Sequence, residues 1–183
     1  MAEASSINFV RGKSGERVFI SAMDRNTLMR VSLLADRLFT GHPDEQELSV
    51  SFATERDALQ SVLDWMLVQA DKPDEDVSFL SYGPIFEDAM RVHHVCVWLG
   101  VRRSLRGEDG RDSLVHYIRM APLTLAEFAM IAELSGADSG LKVLATRETV
   151  RTQRQFIGSR TGLGVPEWDA IAEYCLANGI DLS

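Results

Sequence analysis

Two spacings of apolar residues alternate along the chain: every second residue in short runs, and every third or fourth in longer ones, the periods of strands and helices respectively. The short runs come first. "INFVR" at 7–11 and "RVFIS" at 17–21 are rich in β-branched and aromatic residues, and "GKSGE" between them supplies two glycines for a hairpin turn. The second run leads into a helix that Asp24 caps, with Leu28, Val31, Leu34, Ala35 and Leu38 at helical spacing and Gly41 and Pro43 at its end. "ELSVSF" then places Leu48, Val50 and Phe52 on one face, the alternation of a half-buried strand. Thr54 is positioned to cap a second helix, in which Ala58, Leu59, Val62, Leu63 and Met66 form one apolar stripe.

"DKPDED" breaks that helix, and "VSFL" at 77–80 reads as a short strand. Gly83 and Pro84 introduce the next helix, with Pro84 in its first turn. Its sequence, "FEDAMRVHHVCVWLGV", sets Phe86, Ala89, Val92, Cys96 and Leu99 three or four apart, while Met90, Val97 and Trp98 widen the stripe. This predicts a central, mostly buried helix. "RRSLRGEDGRDSLVHYIRM" predicts another helix, interrupted or preceded by a turn from Gly107 to Gly110. Beyond it the pattern is helical throughout. Thr124 and Glu127 form a capping box, and further helices are predicted near 138–156 and from Pro166 to Ala177, joined by "SRTGLG" and ended by Asn178-Gly179.

With 183 residues, 45% of them hydrophobic and 25% charged, the chain fits one globular domain, or one domain with a helical extension. No apolar run approaches the roughly 20 residues of a bilayer span, and "MAEASS" lacks the basic and apolar parts of a signal peptide. The expected location is therefore intracellular, nucleus or cytoplasm, with no membrane partner. Cys96 and Cys175 lie far apart within predicted helices and read as reduced core residues rather than a disulfide. A net charge of −8 disfavours nucleic acid as a partner of the whole surface. One segment runs against that balance: Lys142, Arg147, Arg151, Arg154 and Arg160 face only Glu148, a run that reads first of all as a solvated helix face.

His93, His94 and Cys96 raise the question of a metal or nucleophile site. Adjacent helical residues point ~100° apart, so the two histidines do not converge on one ion. His93 and Cys96 share a face, yet a zinc site needs further ligands, and His42, His116 and Cys175 each stand alone in their segments. No paired-ligand motif, phosphate loop, GxGxxG after a strand or GxSxG elbow is present. "GSRTGLG" follows a helix rather than a strand and reads as a linker. The residues thus predict no catalytic, cofactor or metal site and favour a non-enzymatic binding module. Arg147, Arg151 and Arg154, four and three residues apart, line one side of a helix and suit carboxylates in pairs. With Lys142, and with Phe156 and Ile157 as apolar anchors, they form the candidate partner-binding segment for an acidic or acidic-apolar protein.

The order hairpin, helix, strand, helix, short strand, buried helix, then more helices resembles the BTB/POZ domain, particularly its divergent fungal-type members. The resemblance covers about residues 7 to 120. "ERVFISAMDRNTLMRVSLLADRLFTG" looks like the family's strand and first helix, with Leu28, Ser32 and Phe39 at its leucine, serine and terminal phenylalanine. "LSVSFATERDALQSVLDWM" looks like the next strand and helix, with Leu63, Trp65 and Met66 in the corresponding segment. "FEDAMRVHHVCVWLGV" resembles the helix ending in Leu-Gly-Val, and Leu105 the leucine soon after. "SAMDRN" lacks the His-Lys that opens the first helix of the commoner animal form.

The resemblance implies an α+β fold: a small β-sheet packed against a helical cluster at 7–120, and a helical C-terminal extension at 121–183. It also implies protein–protein interaction: self-association, recruitment of a cullin ubiquitin ligase, or docking of transcriptional and chromatin partners. In family members the cullin-facing loop often carries a hydrophobic residue two before an acid. "GHPDEQE", the stretch corresponding here, has none, which favours a scaffold or assembly subunit over a ligase adaptor. Only Met1 to Ser6 precede the first strand, so a strand-exchanged dimer is disfavoured and a weak homodimer stays open.

Overall fold

The computed structural model describes residues 6–12, 18–51, 54–69, 72, 78, 80–101, 103–136, 139–158, 165 and 167–183, with side chains 103–109 and 158 left aside. The expected hairpin turn beyond Gly12, Phe52, Val77 and Phe79 of "VSFL", Pro166 and "SRTGLG" lie outside these residues. Ser78 and Leu80, the described members of "VSFL", are not in a strand.

The architecture is α+β, a small sheet against a cluster of helices. β1 (Ser6–Arg11) pairs antiparallel with β2 (Val18–Asp24), and β3 (Glu47–Ser49) adds parallel to the other side of β1, giving the order β2-β1-β3. Ile7, Phe9, Met23 and Leu48 are buried beneath the helices. Ile20 is buried too, three residues from Met23, which plain alternation forbids. The register resolves this: Phe9 pairs with Ser21 and Val10 with Phe19, so Ile20 is an extra residue in β2, a bulge that turns it inward.

Asp24 caps α1 (Arg25–Val31), its carboxylate accepting from the Thr27 amide at 2.9 Å. The single helix expected here is in fact two. Ser32 ends α1 and caps α2 (Leu33–Gly41), its hydroxyl accepting from the Ala35 amide at 3.0 Å. The break has a tertiary cause. The same hydroxyl donates to the carbonyl of Leu99, and Ser32 bridges Val101. Because α2 is thereby rotated, Leu34 is exposed rather than in the core stripe, while Ala35 and Phe39 face inward. Arg25 lies over the Phe39 ring, 5.0 Å from its centroid, and donates to the carbonyls of Pro43 and Glu45, fixing the turn into β3.

α3 (Arg56–Gln69) buries the expected stripe, together with Trp65 and Gln69. Thr54 does not cap it. Glu55 supplies the carbonyl that receives the Leu59 amide, and the buried Thr54 hydroxyl has no hydrogen-bond partner among the described residues. α4 (Phe86–Trp98) is the predicted central helix, capped at Ile85, so Pro84 precedes the helix instead of opening its first turn. Val97 and Trp98 are only half-buried, and Val95 and His93 take the inner positions. Leu99-Gly100-Val101 ends α4 in a Schellman turn: Val101 donates back to Cys96 at 2.9 Å, and Gly100 sits at φ +61°.

α5 (Arg103–Met120) runs without interruption through both Gly107 and Gly110, where the sequence pattern predicts a turn. Gly110 is there for contact. A Cβ on it would lie 2.7 Å from the ring of Tyr82. α6 (Leu125–Leu134), α7 (Ser139–Gly158) and α8 (Trp168–Ala177) complete the chain. α4 packs on α3, α5 and α6, and α7 on α5 and α6, so one apolar core runs from Ile7 to Cys175.

The capping box on α6 is present, and it is reinforced. The Glu127 carboxylate accepts from the Thr124 amide at 2.8 Å and from the Tyr117 hydroxyl at 2.5 Å. Burial raises the affinity of Glu127 for a proton, but the bonds from Tyr117 and Thr124 outweigh it and hold the carboxyl below its ordinary value. The bond to Glu127, aided by burial, pushes the Tyr117 phenol up. A depressed carboxyl stabilises the fold above its unfolded-state pKa, and that contribution is lost as pH falls through the lower folded value. Glu127→Gln is therefore expected to cost about 1 kcal/mol at neutral pH. In urea titrations, the gap between wild type and variant should shrink on acidification through the carboxylate range; a pH-independent gap would contradict this assignment.

Candidate interaction groove

α7 is amphipathic in the plain sense: Leu141, Ala145, Glu148 and Thr149 are buried. The outward side carries Lys142, Val143, Thr146, Arg147, Val150, Arg151 and Arg154, with Val143, Arg147, Arg151 and Arg154 exposed. The opposite wall is the segment after α8. Gly179, at φ +63°, closes α8 in a second Schellman turn in which Ile180 donates to the Cys175 carbonyl at 2.8 Å. This turn directs Gly179, Ile180, Asp181 and Ser183 alongside α7. Between the two walls lies an open groove of about 1010 Å³.

The groove lining includes Lys142, Arg147, Arg151 and Arg154. Its charge is less one-sided than the spacing implies. Arg151 donates to Glu148 at 2.6 Å, and the Glu148 side chain is only 9% exposed, so this arginine is held on its own helix. Asp181 adds a second carboxylate to the lining; hydrogen bonds from the backbone and hydroxyl of Ser183 lower its pKa. Phe156 and Ile157 are not part of the lining. Phe156 stands nine residues after Arg147, half a turn round the helix, and is half-buried. Ile157 is exposed just beyond the groove. Arg160 lies outside the described residues. Val143, Val150 and Ile180 are apolar lining residues that charge spacing alone does not single out.

The other candidate cluster is enclosed. His93 is fully buried, its Nδ1 3.3 Å from the Tyr82 hydroxyl. His94 is half-buried, with Nδ1 donating to the Leu134 carbonyl at 2.9 Å and Nε2 shielded. Cys96 is buried and uncrosslinked. Burial pushes the Cys175 thiol up, against a smaller opposing pull from Lys142, so its surroundings favour the protonated form. His42 and His116 are exposed in other elements. Among the described residues no three His, Cys, Asp or Glu side chains are grouped to hold a metal. Elemental analysis of the dialysed protein is accordingly expected to find well below one zinc per chain, and a stoichiometric metal would overturn that expectation.

Among the described residues no helix is long and apolar enough to cross a membrane. Comparison with protein families, curated proteins and solved structures finds no match for this chain.

Proposed function

We propose that the chain is a non-enzymatic protein–protein interaction module that acts as a scaffold or assembly subunit on a BTB/POZ-like core. Supporting the core assignment is the chain order of an antiparallel hairpin, a pair of short helices, a strand parallel to the first, and then the buried α4. The observation that carries the interaction reading is the groove on α7, where cations and exposed valine sit together. Among the described residues its lining has hydroxyls but no histidine or cysteine to activate them. A transcriptional or chromatin complex is one assembly such a subunit serves.

A cullin-adaptor role is the second reading. The exposed turn from His42 to Gln46 offers Asp44 and Glu45 without an apolar anchor, which favours the scaffold. Contact with nucleic acid is weaker still, because the groove mixes Glu148 and Asp181 with its arginines.

Charge reversal at Arg147, Arg151 and Arg154 together is the test. Quantitative mass spectrometry of proteins recovered on the wild type and on the triple variant is expected to show at least a tenfold loss of the main partner. Because reversing Arg151 also removes the partner of the buried Glu148 carboxylate, the double reversal at Arg147 and Arg154, both exposed and outside that pair, is run beside it, and its circular-dichroism melt should stay nearly unchanged. Equal recovery on both would defeat the proposal.

A further inference from the structure

Val143, Val150 and Ile157 recur every seven residues along α7. In a helix of 3.6 residues per turn, that spacing draws a single seam drifting only ~20° per repeat. Apolar residues at such spacing are ordinarily turned into the core. Here the seam faces outward: Val143 is 63% and Ile157 74% exposed, and Val150 is half-buried in the groove lining. The inward positions of α7 are already filled by Leu141, Ala145 and Thr149. The seam is therefore a second face of the same helix.

Arg147 and Arg154 each follow a seam residue by four positions, so both stand on one flank of it. Among the described residues neither has an ion-pair partner, whereas Arg151 between them is held by Glu148. A coiled-coil strand shows its partner two apolar positions per heptad; α7 supplies one of them, at Val143, Val150 and Ile157, with Thr146 and Gln153 three residues on from the first two and like charges on the flank. From Val143 to Ile157 it spans about 21 Å, four turns of helix. The segment Gly179–Ser183 forms the far wall and adds Ile180, giving the groove two sides.

Resting on the interaction reading above, we infer that the occupant of this groove is an amphipathic α-helix of another protein, with an apolar seam against Val143 and Val150 in the groove and Ile157 just past its end, and carboxylates opposite Arg147 and Arg154. Charge selects the sign of the partner. Arg147 and Arg154, unpaired among the described residues, lie on a chain whose net charge is −8, so an acidic ligand repelled by the rest of the surface is attracted here. The seven-residue period selects its shape, because an extended peptide presents side chains every second residue and does not match a seam of this spacing.

The probe is a fluorescein-labelled peptide of three heptads, with leucine at the first and fourth positions and glutamate on both flanks; the glutamates repel one another and keep it from pairing with itself. A scrambled peptide of identical composition and a single-stranded 20-nucleotide DNA serve as comparisons, with fluorescence anisotropy on the full chain as the readout. The heptad peptide is expected to bind at least tenfold tighter than the scramble. Val143→Gln with Ile157→Gln, and separately Arg147→Glu with Arg154→Glu, should each weaken it at least tenfold. All four side chains are exposed, and the melting curve verifies that the variants remain folded. Equal binding of heptad and scrambled peptides, absence of binding at millimolar peptide, or tighter binding of the DNA would each overturn the inference. If it is overturned while charge reversal still removes the cellular partner, that partner is acidic but not helical; if both fail, the interaction reading falls with it.

Discussion

Leu99→Ala is expected to lower the unfolding free energy by about 2 to 5 kcal/mol, the range for a buried leucine whose removal leaves a cavity. Leu99 is fully buried at the end of α4, the helix that touches α3, α5 and α6. A void there faces several rigid neighbours that cannot all close over it, which places the cost high within the range. The Schellman turn and the bond from Ser32 use the backbone of Leu99, so both survive in the variant. Leu63→Ala, on the facing helix α3, should behave similarly. Urea denaturation checks both, and a change below about 0.5 kcal/mol at either position would show that the void closes without cost.

Gly110→Ala is the second large effect, and its direction runs against helix propensity. In a helix interior alanine is better than glycine by about 1 kcal/mol. Yet the new methyl carbon would meet Cδ1 and Cε1 of Tyr82 at 2.7 Å. Tyr82 is buried and its hydroxyl is tied to His93, so the ring does not swing aside freely. Overpacking of this kind costs about 1 to 3 kcal/mol, and the variant is expected to be destabilised despite the propensity gain. Combining it with Tyr82→Leu should reverse the sign, because the leucine vacates the ring position. Stabilisation by Gly110→Ala alone would mean that α5 and Tyr82 are farther apart than described.

These two sites also mark where the sequence stops being informative. Periodicity locates α3 and α4 because their apolar stripes are long and their caps local. It misreads Gly107 and Gly110 as a turn, since nothing near them in the chain reveals that Tyr82, 28 residues earlier, needs a glycine opposite it. The leucines flanking Ser32 look like one helix for the same reason: the break is set by Leu99 and Val101, far along the chain. Pro84 and Thr54 have the right residue types for helix starts, but the first turns begin one or two residues later, a difference composition does not resolve.

The arginines of α7 were legible because i, i+4, i+7 spacing is a property of the helix itself. Phe156 illustrates the opposite case: adjacency to Ile157 in sequence places it about 100° away on the helix, and it turns from the groove. Ile180 and Asp181 could not be assigned to the site without Gly179, whose left-handed turn alone brings them beside α7. The pairing of Arg151 with Glu148, three residues apart, was available to the same helical arithmetic that groups the arginines.

Ser32 joins two stretches of chain that are 67 residues apart. At synthesis rates of roughly 5 to 20 residues per second, its hydroxyl waits roughly 3 to 13 s before Leu99 even exists. Until then only the local cap, the Ser32 hydroxyl accepting from the Ala35 amide, marks the junction between α1 and α2. The tertiary half of the hinge, the bond to Leu99 and the bridge to Val101, comes with the end of α4. A ribosome-bound chain truncated before residue 99 therefore lacks the contacts that fix the angle between the two short helices, and leaves Leu28 and Val31 without the α4 end that the finished chain places at their junction.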